Sequence, residues 1–122
     1  MEFFRIIDKQ VTQEIIQEKI TPLSLESFTE TMFLIESKED YFEGVTLWGE
    51  FQITYHKING GLRFTLLDCP NAFVWTITTG YPPESHKIML HCTINRTQQQ
   101  EEFITQIQEF LNEWEVGLLS NF

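Results

Sequence analysis

The chain is short of the residues that usually announce a chemistry. It holds two cysteines, three histidines and four prolines in 122 residues. It has no apolar run near the roughly 20 residues that cross a bilayer, so a membrane partner is not expected. Bases are scarce, eight against eighteen acids, for a net charge of −10. A broad grip on a phosphate backbone needs a basic footprint, so nucleic acid is not expected as a partner either.

Each missing motif removes a class of reaction. Gly60-Gly61 runs into a strand-like segment rather than a helix, so it is no phosphate-cradling loop. No serine sits in the G-x-S-x-G setting of a nucleophile elbow. Cys69 stands beside Asp68, whose charge opposes the thiolate a nucleophile requires, and Cys92 reads as an inward core residue. Glu36, Glu39, Asp40 and Glu43 fall in a charged stretch before Gly44 that reads as a solvated loop rather than an acid–base pair. These absences weigh against an enzyme, and no cofactor, metal site or catalytic residue is expected. With no export signal visible, both thiols are expected to be reduced and the protein cytoplasmic.

What is present is core-forming. Apolar residues make up 42% and aromatics 14%, with eleven phenylalanines, as suits one folded domain over residues 1–122. The acidity lies in the flanks. Residues 1–50 carry eleven acids and four bases, residues 51–100 two acids and four bases, and residues 101–122 five acids and no base.

The pattern predicts an α+β fold, an antiparallel β-meander of four to five strands over about 45–95, packed against an amphipathic helix over about 98–116. In that helix Thr97 and Gln100 form a capping box, and Phe103, Ile104, Ile107, Phe110, Leu111 and Trp114 share one face. Gln106, Glu109, Asn112 and Glu113 face water, and Gly117 is placed to end the helix. Phe4, Ile7, Val11 and Ile15 predict an N-terminal helix over about 3–20, with a strand through Phe3–Ile7 as the competing reading. Residues 24–38 fit either helix or strand.

From Val45 the period becomes two. Val45, Leu47, Phe51, Ile53 and Tyr55 read as one half-buried strand, followed by strands over 62–68, 72–79 and 87–95. A Gly60-Gly61 turn would pair Tyr55 with Leu66. Phe64, Phe73, Trp75, Ile77, Ile88, Leu90 and Cys92 then share the core face under the C-terminal helix.

The opposite face carries the candidate interaction residues Trp48, Gln52, Thr54, His56, Arg63, Thr65, Thr76, Thr78, His91 and Thr93. Ile58, Leu67, Val74 and Met89 share it, so its alternation is less clean than on a sheet facing only water. Cover is therefore expected, from the N-terminal helix, a second copy or a partner. His56 and His91 fall three strands apart, with Thr65 and Val74 between them. At about 4.8 Å per strand that is roughly 14 Å, too far for one metal ion. Tyr81, in the proline-stiffened loop 79–84, is a candidate recognition residue or a cap on the core. The residues point to a non-enzymatic protein-interaction module, such as an adaptor, inhibitor, immunity-type or chaperone-type protein, binding a protein partner or itself as a homodimer through the outer sheet face. A small-molecule-binding domain or minor enzyme with a pocket between helix and sheet is the alternative.

Overall fold

The computed structural model describes residues 1–95 and 100–122. Seven antiparallel strands form one sheet: β1 (Glu2–Ile7), β2 (Phe33–Ser37), β3 (Phe42–Thr46), β4 (Gly49–Ile58), β5 (Gly61–Leu66), β6 (Val74–Thr79) and β7 (Ile88–Thr93). Helices α1 (Gln13–Lys19) and α2 (Leu25–Phe28) lie between β1 and β2, and α3 (Glu101–Asn121) follows β7. The α+β class and the meander hold, but seven strands replace the four to five expected.

The order across the sheet is β1-β7-β6-β5-β4-β3-β2. Strands β2 to β7 run as an unbroken meander, and β1 closes it by pairing with β7, with Phe3 opposite Cys92 and Ile7 opposite Ile88. The chain reaches the far edge through α1 and α2. Ile16 and Ile20, Leu25 and Phe28, and Ile107, Phe110, Leu111 and Trp114 all enter one buried cluster with the inward side chains of the sheet. The helices therefore cover a single face.

The N-terminal reading needs correction. Residues 2–7 are a strand, and only residues 13–19 of the expected helix are helical. Phe3, Arg5 and Ile7 alternate with Glu2, Phe4 and Ile6, and pairing with β7 decides in favour of period two. Helix α1 starts afresh at Thr12, whose hydroxyl accepts from the Ile15 amide at 3.3 Å. Residues 24–38 contain both alternatives, α2 and then β2.

The strand expected from Val45 is two strands. Leu47 and Trp48 form the turn between β3 and β4, pairing Thr46 with Gly49, whose φ of +112° suits glycine. Thr46 Oγ1 donates to the Gly49 carbonyl and accepts from the Trp48 amide. The acidic stretch is not all loop either: Glu36 lies in β2 and Glu43 in β3, opposite each other. Between β4 and β5 the two turn residues are Asn59 and Gly60, so Tyr55 meets Phe64 rather than Leu66. The shift is two residues, which leaves the paired side chains of β4 and β5 on their expected faces.

Helix α3 passes through Gly117 and ends at Asn121. The expected Thr97 cap lies outside the described residues. Gly117 serves packing, not termination: a Cβ there would stand 1.9 Å from the Phe28 carbonyl oxygen, so α2 can approach only an unsubstituted backbone. Glu113, expected in water, ties the same junction by accepting from the Glu30 and Thr31 amides at 2.9 and 3.0 Å. Replacing Gly117 with alanine should push α2 off α3 and lower stability by about 1–3 kcal/mol or more. Urea unfolding checks this, and an unchanged midpoint would contradict the close approach.

Candidate functional site: the open face of the sheet

Inward residues fill the space under α3 with rings. Phe64 stacks on Trp75 at 5.0 Å and 8°, and Phe110 meets Trp75 edge-on at 5.0 Å. Phe64, Trp75, Phe110 and Trp114 are at most 1% exposed. That packing fills the space between the sheet and the part of α3 that bears Phe110 and Trp114.

The other face is built by the alternate residues, and the register aligns them in rows. One row runs Phe4, His91, Thr76, Arg63, His56 across β1, β7, β6, β5 and β4. A second runs Glu2, Thr93, Val74, Thr65, Thr54. A third runs Ile6, Met89, Thr78, Gly61, Ile58. Gln52 continues the face beside Glu43, which in turn lies beside Glu36. Gln52, Thr54, His56, Arg63, Thr65, Thr76, Thr78, His91 and Thr93 therefore stand on one surface. His56 and Arg63 are exposed, whereas Thr78 is 7% exposed. Arg63 and Thr76, not Thr65 and Val74, separate the two histidines. Among the described residues, no three His, Cys, Asp or Glu side chains gather as metal ligands do.

Trp48 is the exception. Its ring lies against Phe73, Phe103 and Phe110 at 4.8–5.6 Å, and its indole N–H donates to Gln106 Oε1 at 2.9 Å. The tryptophan thus belongs with α3, because the turn at residues 47–48 interrupts the alternation that had assigned it to the open face. Of the expected covers, the N-terminal helix is not one. Helix α1 lies on the core side, where Gln17 Nε2 donates to the carbonyls of Ile58 and Gly61.

Sequence reasoning missed the contribution of β1. Phe4 stacks on His91 with centroids 4.4 Å apart and 21° between planes. Glu2 Oε1 stands 3.3 Å from His91 Nε2, a buried nitrogen that makes no hydrogen bond of good geometry. Phe4 and Ile6 remain 50% and 47% exposed. The period-two alternation of residues 2–7 was the available signal.

Charge varies across the face. Glu36, Glu43 and Glu50 lie toward the β2 side and Glu2 at the β1 edge, while Arg63 stands on β5 between them. Tyr81 is not on this surface. Its ring packs over Gly60 and its hydroxyl donates to the Asn59 carbonyl at 2.7 Å, so it braces the β4–β5 turn.

No protein-family model matches the chain, and no curated protein matches it. No helix among the described residues is long and apolar enough to cross a membrane.

Cys92 offers a check on the face assignment. It lies inward, and burial pushes its thiol up to about 12 from an ordinary 9.0. The unfolded chain therefore loses this proton first. The contribution is fully present below about pH 9 and is lost as pH rises toward 12, by about 1.4 kcal/mol per pH unit. The stability difference between the wild type and Cys92→Ala, followed by urea unfolding, should shrink above pH 9. A constant difference would place the thiol in water.

Proposed function

We propose that the protein is a non-enzymatic interaction module that docks a protein partner on the open face of its sheet. The observation that carries this reading is the surface formed by Phe4, Ile6, Met89 and Ile58 interleaved with His91, Thr76, Arg63 and His56, on the side opposite α1, α2 and α3. Apolar groups interleaved with hydrogen-bonding ones suit protein contact, since burial supplies affinity and the polar groups supply orientation. This charge pattern favours a partner whose surface is basic opposite Glu36, Glu43 and Glu50 and acidic opposite Arg63. A cytoplasmic setting belongs to the same proposal.

A small-molecule site is the weaker reading. A hollow of about 240 Å³ lies between Trp48, Phe51, Leu66, Cys69, Phe73 and Phe103. It falls below the roughly 300–1,000 Å³ of ordinary ligand pockets. A larger hollow of about 460 Å³ between α2 and α3 is rimmed by Glu26, Glu30 and Glu113. Glu113 is already engaged there with Glu30 and Thr31.

A photo-crosslinking side chain tests the proposal in the native host. Placed at Thr76 it should yield a discrete protein adduct, and placed at Glu109, on the exposed side of α3, it should not. Adding Arg63→Glu should reduce the Thr76 adduct severalfold while leaving the melting temperature nearly unchanged. Equal adducts from both positions, or none from Thr76, would contradict the reading.

A further inference from the structure

The two edges of the sheet are built differently. The β2 edge carries a register irregularity between Leu34 and Glu36, and Glu36 is paired with Lys38 at 2.9 Å. Bulges and charges of this kind discourage pairing with another strand. The β1 edge has no such bulge, and of its two charged residues Arg5 is engaged with α3 while Glu2 alone stands on the open face. Its register with β7 is continuous from Glu2 to Ile7, with neither proline nor lysine in the strand.

The hydrogen-bond alternation identifies the outward groups. Met1 and Ile94 exchange both main-chain bonds at 3.1 Å, so Phe3, Arg5 and Ile7 turn their amides and carbonyls toward β7. Glu2, Phe4 and Ile6 turn theirs to the free edge, where no strand among the described residues pairs with them. The Phe4 carbonyl accepts from Arg5 Nη1 at 3.1 Å, a substitute for a strand donor. The same three residues place their side chains on the open face, with Phe4 and Ile6 half exposed.

We infer that β1 pairs antiparallel with β1 of a second copy, joining two seven-stranded sheets into one. The strand's own sequence selects the register. With Phe4 opposite Phe4 of the second copy, Glu2 falls opposite Ile6, and every outward amide and carbonyl of the two strands finds a partner. The two Phe4 rings then meet on the open face, and Arg5 stands opposite Phe3. Sliding one way by two residues sets Arg5 against Arg5 and leaves the outward groups of Glu2 unpaired; sliding the other way leaves those of Ile6 unpaired. The favoured register suits a second copy because each strand supplies what the other needs. Arg5 gives up the Phe4 carbonyl and keeps Gln108, Asn112 and Glu115 of α3. This pairing does not depend on the open face being a docking site, but it would join the two open faces side by side.

Sedimentation velocity across a broad concentration range, with amide hydrogen exchange of the same protein, tests the inference. The expected result is a concentration-dependent doubling of mass. Amides of Phe4 and Ile6 should be slow to exchange in the dimer and fast in the dilute monomer. Phe4→Pro removes an outward N–H, which an edge strand tolerates, together with the ring stacked on His91, so it should keep the fold and remove the dimer. Monomeric mass at every concentration would overturn the inference. So would a dimer whose Phe4 and Ile6 amides exchange freely, or one that persists in folded Phe4→Pro. Should Phe4→Pro fail to fold, the exchange of the wild-type amides decides alone.

Discussion

Docking of α3 across one face of the sheet is the constraint on which the rest of the molecule depends. Phe110 and Trp114 descend onto Phe64, Phe73 and Trp75, and each fully buried aromatic contributes on the order of 1.5–3 kcal/mol of transfer free energy. With α1 and α2 joining on the same side, the core is one layer of side chains between helices and strands. Such a two-layer arrangement leaves the second sheet face to water or to another molecule. The polar side chains of that face are a consequence of this layering.

The second consequence concerns the chain's path. Strand β1 lies at one edge and β2 at the other, so residues between them must cross the width of the sheet. They do so through α1 and α2, which double as cover. Gln13 Oε1 accepts from the Gly60 amide at 2.8 Å, and Asn121 Nδ2 donates to the Ser27 carbonyl at 2.9 Å, which fixes the crossing at both ends. The interaction proposed for the open face therefore rests on elements that never touch it.

The legible part of the fold is the part governed by near neighbours. Strands β4 to β7 follow one another through short connections, and their alternation could be read from residue 49 onward. The C-terminal helix could be read from the spacing of Phe103 to Trp114. The illegible parts are those settled at long range or by local backbone shape. Strand β1 finds its partner some ninety residues away at Cys92 and His91, and its short run also satisfies a helical period. The β3–β4 turn uses Thr46 and Gly49 without proline or Asn-Gly, so the alternation ran straight through it and carried Trp48 to the wrong face. Gly117 looks like a helix stop, but its role is to admit the backbone of Phe28. For the candidate site, the middle strands were assigned correctly to one surface, while Glu2, Phe4 and Ile6 were missed with the strand that bears them.

The central claim is that the open face is vacant in the isolated protein and covered when it works. Hydroxyl-radical footprinting of the purified chain and of the chain inside its native host measures this directly. The account predicts ready oxidation of Phe4 and Met89 in the purified protein, with Trp75 and Phe64 protected, and a clear loss of Phe4 and Met89 oxidation in the cell. Equal oxidation of Phe4 and Met89 in the two states would contradict it.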